Sequence, residues 1–306
     1  MTSILLPIAQ VEINIIIILI AGLGVGFLSG LFGVGGGFLM TPLLIFLGIP
    51  PATAVGTEAN QILGSSVSGG IAHGRKGNID YEIGLFLLIG GIFGSTVGVV
   101  IFRLMRDAGK IDLLISLLYI AFLTIIGSLM LYESVKVLIQ KEKRLTLRKR
   151  RRSFIHSLPM KFKFRKSMIY VSILIPISIG LFVGFLSSLM GVGGGFIMVP
   201  AMIYLLGMKT IAAIGTSLFQ IVFVTANIVI LQATYNQSVD LILAILLLIG
   251  GVVGAQLGSK YSMKIKGEYL RVCLAILVLL VSLKMSIDLL NEPSSDSRII
   301  IQETNS

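Results

Sequence analysis

The chain has 306 residues, 55% hydrophobic and 13% charged, with a mean hydropathy of +0.99 and a net charge of +11. A soluble domain carries about a quarter charged residues, so this composition excludes a water-soluble protein and points to a polytopic helical membrane protein of the cell membrane. The positive charge would suggest nucleic acid in a soluble chain, but 13 of the 25 basic residues fall between Ser134 and Ser167, as in a cytoplasmic loop under the positive-inside rule.

Apolar runs long enough to cross a ~30 Å hydrocarbon core recur along the chain. Segment a, 13–32, has no Lys or Arg before it and reads as a retained membrane helix rather than a cleavable signal peptide. It runs into Gly33-Val34-Gly35-Gly36-Gly37 and then a short segment b, 37–48, stopped by Gly48-Ile49-Pro50-Pro51. Twelve helical residues rise only about 18 Å, too little to cross alone. Segments c (52–73), d (83–103) and e (111–132) complete the first half. The second half gives a′ (168–190), b′ (195–206), c′ (211–232), d′ (240–260) and e′ (270–290). The expected organisation is a first membrane repeat at 1–132, a basic cytoplasmic loop at 133–167, a second repeat at 168–290 and a polar tail at 291–306. The fold class is all-α, with 8–10 transmembrane segments and Gly-broken helices.

The halves are related by duplication. Gly26 to Pro42 and Gly184 to Pro200 match at 13 of 17 positions, and the correspondence continues at offsets of 158 to 160 residues through Gly56-Thr57 and Gly215-Thr216, Gln61 and Gln220, and Asp80 and Asp240. Gly90, Gly94 and Gly98, matched by Gly250, Gly254 and Gly258, form the small-residue stripes along which membrane helices pack closely. With five crossings per half the second repeat is inverted; four crossings per half would make the repeats parallel and put Lys260 to Arg271 outside, a poorer fit to the charge pattern. The inverted arrangement places Arg75 and Lys76, and also Lys260 to Arg271, on the cytoplasmic side, as the positive-inside rule requires; Arg103, Arg106 and Lys110 are the exception.

Paired Gly-interrupted hydrophobic segments are the pattern of a transporter's binding site. A helix that restarts at depth offers backbone N–H groups and a positive dipole end to an anion. Gly35, Gly36, Gly37 and Gly193, Gly194, Gly195 are therefore substrate-binding candidates, and a tight turn or packing hinge is the other reading. No Lys-Ser/Thr follows the glycines, so the motif is not a nucleotide-binding loop.

The duplicated GxxSGxxGxGGGxxxxPxL signature, the PxxAxGTxxxQ that follows (Pro51, Ala54, Gly56, Thr57, Gln61) and the Gly-rich fourth segment resemble the TauE/SafE sulfite exporter family over residues 13–290. The resemblance implies secondary transport, usually outward, of sulfur-containing anions such as sulfite or sulfonates. The chain departs from the pattern in its long basic insert, in Ser188 where the first copy has Gly30, and in Lys209 where the first half has a proline.

Polar residues inside apolar segments fit an anion carrier. Hydroxyls and amides donate to oxyanions without a buried positive charge, which makes Thr57, Gln61, Thr216 and Gln220 candidates; bonding to the preceding helical turn is the alternative for hydroxyls. Glu58, the carboxylate well inside segment c, is the proton-coupling candidate, since an ionisable residue at depth marks function; a position near the interface is the other reading. His73 is read as interfacial, His156 lies in the basic stretch, and Cys273 is a small apolar filler. No metal site, cofactor, enzyme activity or nucleic-acid partner is expected. The expected partners are a small anionic substrate and lipids, with anionic headgroups at the basic loop. A passive anion channel and a carrier of carboxylates are the competing functions.

Overall fold

The structure, a computed structural model, describes residues 3–32, 37–139, 160–262 and 267–291. Gly35 and Gly36, His156 and the centre of the basic stretch, and the tail from 292 onward lie outside the described residues. The order of elements runs twice through a two-stranded hairpin followed by five helices. In the first half these are β1 (Ser3–Leu6), β2 (Val11–Asn14), α1 (Ile15–Phe32), α2 (Gly37–Phe46), α3 (Pro51–Arg75), α4 (Tyr81–Asp107) and α5 (Ile111–Ile139). In the second they are β3 (Lys161–Phe164), β4 (Ile169–Ser172), α6 (Leu174–Met190), α7 (Gly195–Ala201), α8 (Thr210–Leu231), α9 (Leu241–Ser262) and α10 (Gly267–Asn291). α7 continues as a π-helical turn over Met202–Leu206, and α8 as another over Gln232–Asn236.

Among the described residues, five helical spans are long and apolar enough to cross a membrane: Tyr81–Asp107, Ile111–Tyr132, Thr210–Asn236, Leu241–Gly258 and Val272–Asn291. Ile15–Ser29, Gly37–Phe46, Leu174–Met190 and Gly195–Leu206 are shorter apolar helices. α3 is as long as the spanning helices but carries the polar residues of segment c. It starts where expected, with Pro51 at its first position, whose missing N–H costs nothing there. The lipid-facing stripes are legible in exposure: Leu85, Ile89, Phe93, Val100 and Leu104 on α4, and Leu241, Ile245, Ile249, Val253 and Leu257 on α9, stand exposed at helical spacing.

The hairpins differ from the expectation. The sequence reads as basic loop over 161–167 and as the start of a helix over 168–172; instead β3 and β4 pair antiparallel, Lys161 opposite Ser172 and Phe164 opposite Ile169. β1 and β2 pair in the same way, Ser3 opposite Asn14. Alternation accounts for β3: Phe164 is buried and anchors the strand while Lys163 beside it is exposed on the other face.

The closest packing in the fold is crosswise. α4 lies along α6, and α1 along α9. A Cβ on Gly90 would stand 2.0 Å from the carbonyl oxygen of Ile177, and one on Gly94 2.0 Å from that of Leu181. On the other pair, a Cβ on Gly254 would stand 2.2 Å from the Leu23 oxygen, and one on Gly26 2.3 Å from that of Gly251. Only glycine permits such backbone contact. α5 and α10 meet at a Thr124–Ser282 hydroxyl pair 2.7 Å apart, and α3 packs on α8.

Candidate functional site

The second glycine motif is where one helix stops and another starts. α6 ends at Met190, and Gly191 closes it in the left-handed region (φ 68°), with its N–H bonded to the Ser187 carbonyl. Gly193 and Gly194 also have positive φ, and α7 starts at Gly195 with the Ile197 and Met198 amides on the Gly194 carbonyl. In the first copy α1 ends at Phe32 and α2 starts at Gly37. The two restarts lie side by side: the rings of Phe38 and Phe196 stack at 4.7 Å and 14°. A Cβ on Gly37 would stand 3.0 Å from the Gly191 carbonyl oxygen, and Ile62 of α3 wedges against both Gly37 and Gly193.

The candidates on α3 and α8 divide into two groups. Thr57 and Thr216 serve as cross-braces. The Thr57 hydroxyl accepts the Asp240 N–H at 3.0 Å, and the Thr216 hydroxyl accepts the Asp80 N–H at 2.9 Å. Each aspartate caps the helix it precedes, accepting from Ile83 or Leu243 at 3.2 Å. The remaining oxygen of each receives a hairpin tip. Asp240 accepts from the Ile8 N–H at 3.0 Å, and Asp80 from the Ser167 N–H at 3.0 Å and the Ser167 hydroxyl. The tip on Asp80 is held further by Arg165 N–H to Glu82 (3.1 Å) and Lys166 Nζ to the Ile79 carbonyl (2.7 Å). The recurrence of Asp80 and Asp240 was visible in sequence, but their role depends on which threonine of the other half meets them.

Gln61 and Gln220 are buried side chains with capacity left over. Gln61 lies against α9, its Nε2 2.2 Å from where a Gly251 Cβ would be; Gln220 lies against α4, its Nε2 2.5 Å from the equivalent point on Gly91. The Oε1 atoms of both have no hydrogen-bond partner among the described residues. Buried amides left partly unsatisfied are costly and rare in folded proteins.

Glu58 is completely buried, not at an exposed interface, and neither of its carboxylate oxygens has a partner among the described residues. It lies on the α3 face defined by Val55 and Ile62, which packs against Gly191 and Gly193. Two residues that the sequence did not single out share this interior. The Tyr119 hydroxyl of α5 donates to the Met190 carbonyl at the end of α6, next to the Gly191 that packs on Val55 of α3, one turn before Glu58. The Thr41 hydroxyl of α2 is buried as well, with no hydrogen bond of normal geometry among the described residues. Among the described residues no group of three His, Cys, Asp or Glu is placed to hold a metal ion, and Cys273 is exposed on α10.

Comparison with known proteins extends these observations. The profile of the family described as Sulfite exporter TauE/SafE matches residues 18–285. The chain is 32% identical over 269 residues to the probable membrane transporter protein YjnA of Bacillus subtilis, covering 88% of this chain and 98% of that one. It is 26% identical to the probable membrane transporter protein MJ0441 of Methanocaldococcus jannaschii, covering 85% and 90%. A 75-residue stretch is 33% identical to Sulfite exporter TauE/SafE family protein 6 of Arabidopsis thaliana, covering 24% of this chain and 18% of that protein. No solved structure matches the chain.

Proposed function

The chain belongs to the sulfite exporter TauE/SafE family of multi-pass membrane transporters, and from that premise we propose that it is a secondary carrier exporting small sulfur-containing anions such as sulfite or organosulfonates. The substrate sits between the glycine-rich restarts of α2 and α7, within reach of Gln61 and Gln220, and Glu58 couples its movement to protons. The observation that carries this reading is the pair of buried glutamines at corresponding positions, each pressed on a glycine of a helix from the other half and each with unspent hydrogen-bonding capacity. The oxygen and nitrogen of an amide are assigned from their partners, and an oxyanion in the site would draw the NH2 groups toward it. Neutral donors suit an anion that must be released again, since a buried lysine or arginine would bind tightly and be costly to leave empty.

In this reading the two halves are inverted repeats, so that access alternates between faces by rocking one half against the other. Proteoliposomes loaded with sulfite or a sulfonate should show saturable efflux accelerated by substrate on the other side. Efflux indifferent to the opposite side would identify a channel instead. In a Cys273→Ala background, cysteines at the exposed positions Tyr235 and Tyr261 should react with impermeant reagents from opposite faces; reaction of both from one face refutes inversion.

A further inference from the structure

We infer that Thr41, Glu58 and Tyr119 form a single proton-binding site, built into one half of the chain only, and that one proton travels with each anion. The existence of the site stands independently; the coupling rests on the carrier reading.

All three side chains are fully buried and come from three elements, α2, α3 and α5. Tyr119 spends its proton on the Met190 carbonyl, so its oxygen presents lone pairs to the interior. Thr41 contributes a hydroxyl, and Glu58 two oxygens, with no hydrogen-bond partner of normal geometry among the described residues. The cluster is rich in acceptors and holds no cation. Among the described side chains, the elements packed on α3 supply nothing to neutralise Glu58. α2, α6 and α8 carry no titratable side chain. On α5, Asp112 is occupied by the Ala52 N–H at the start of α3. Asp240 at the start of α9 is consumed by its cap and hairpin, and Lys260 and Tyr261 lie at the far end of α9. A proton on Glu58 removes the uncompensated charge from this interior and adds an O–H donor among its acceptors.

The corresponding positions of the second half show that the fold does not need this cluster. Thr41 maps to Val199, Glu58 to Ser217, and Tyr119 to the apolar run Leu277-Val278-Leu279. Ser217 is satisfied locally by the Ile214 carbonyl. Polar atoms are thus assembled, unsatisfied, in one half where the other manages with valine, serine and leucine. Glu58 is one helical turn from Gln61, so an anion there is repelled by an ionised carboxylate and accommodated by a neutral one. By linkage, proton and anion then bind together. The proton enters Glu58 from water on the side where the anion enters and returns to water where the anion leaves.

Infrared spectroscopy of the purified full-length protein in lipid nanodiscs tests the site without reference to transport. A neutral-carboxyl stretch that persists in wild type, vanishes in Glu58→Gln and shifts in Tyr119→Phe and Thr41→Val is expected. Absence of that band across the accessible pH range overturns the site, as does its replacement by an ionised carboxylate whose band responds to sodium. In lightly buffered proteoliposomes, anion flux should carry one proton per anion. Glu58→Gln, which imitates the neutral acid, should lose proton movement entirely, and whatever anion flux it shows should no longer respond to a pH gradient. Proton movement that survives in Glu58→Gln overturns the coupling. A Glu58-dependent band in a protein that moves none of the anions overturns the carrier reading and leaves the site standing.

Discussion

The start of α4 and the second turn of α3 each bury a carboxylate completely, and they treat it in opposite ways. Asp80 is surrounded by backbone and hydroxyl donors from its own helix and from the β3–β4 tip, and Asp240 is dressed almost identically at the start of α9. Glu58 is given nothing. Fixed donors that satisfy a carboxylate tie it to the structure around it. A carboxylate without donors contributes no such brace and is free to change state. The same chain therefore spends two buried acids on architecture and keeps a third uncommitted.

Substitutions can break or sharpen that contrast. Asp80→Ala strands the Ile83 and Ser167 amides and the Ser167 hydroxyl, and it should cost about 3 kcal/mol, read as a lowered melting temperature in detergent. Asp240→Ala strands one donor fewer and should cost about 2 kcal/mol. A smaller loss at Asp80 than at Asp240 would contradict the donor count. Thr57→Val and Thr216→Val each remove one acceptor from an aspartate amide and should cost about 1 kcal/mol apiece, equally in the two halves. Glu58→Gln should sit at the bottom of the series, within about 0.5 kcal/mol of wild type, because no partner is lost. Should it melt as early as Asp80→Ala, Glu58 is structural after all.

Much of this arrangement was legible in the residues. Apolar runs and the Gly-Pro stops placed most helix boundaries within a few positions, and the glycine stripes announced close helix contact. The hairpins escaped because four-residue strands are too short to establish a period, and because the lysines that alternate in Lys161–Phe164 had already been counted into a basic loop. The role of Thr57 and Thr216 escaped for a different reason. A hydroxyl after Gly in an apolar helix looks the same whether it awaits a ligand or the backbone of another helix, and only the tertiary arrangement supplied Asp240 and Asp80. Thr41 and Tyr119 carried no local signal, since a lone threonine or tyrosine in a membrane helix is ordinary. Comparing each with its apolar counterpart in the other half was the clue available.

The crosswise glycine contacts also govern how the protein is made. α1 leaves the ribosome well before α9, yet the surface that fits its Gly26 belongs to Gly251 on α9. Until α9 is made, α1 lacks the surface it packs against in the finished structure, and so does α4 until α6 is made. Neither half is a finished object by itself. A nascent chain interrupted in the basic stretch should be a substrate for membrane proteases, whereas two half-length chains produced in one cell carry the surfaces to complete each other.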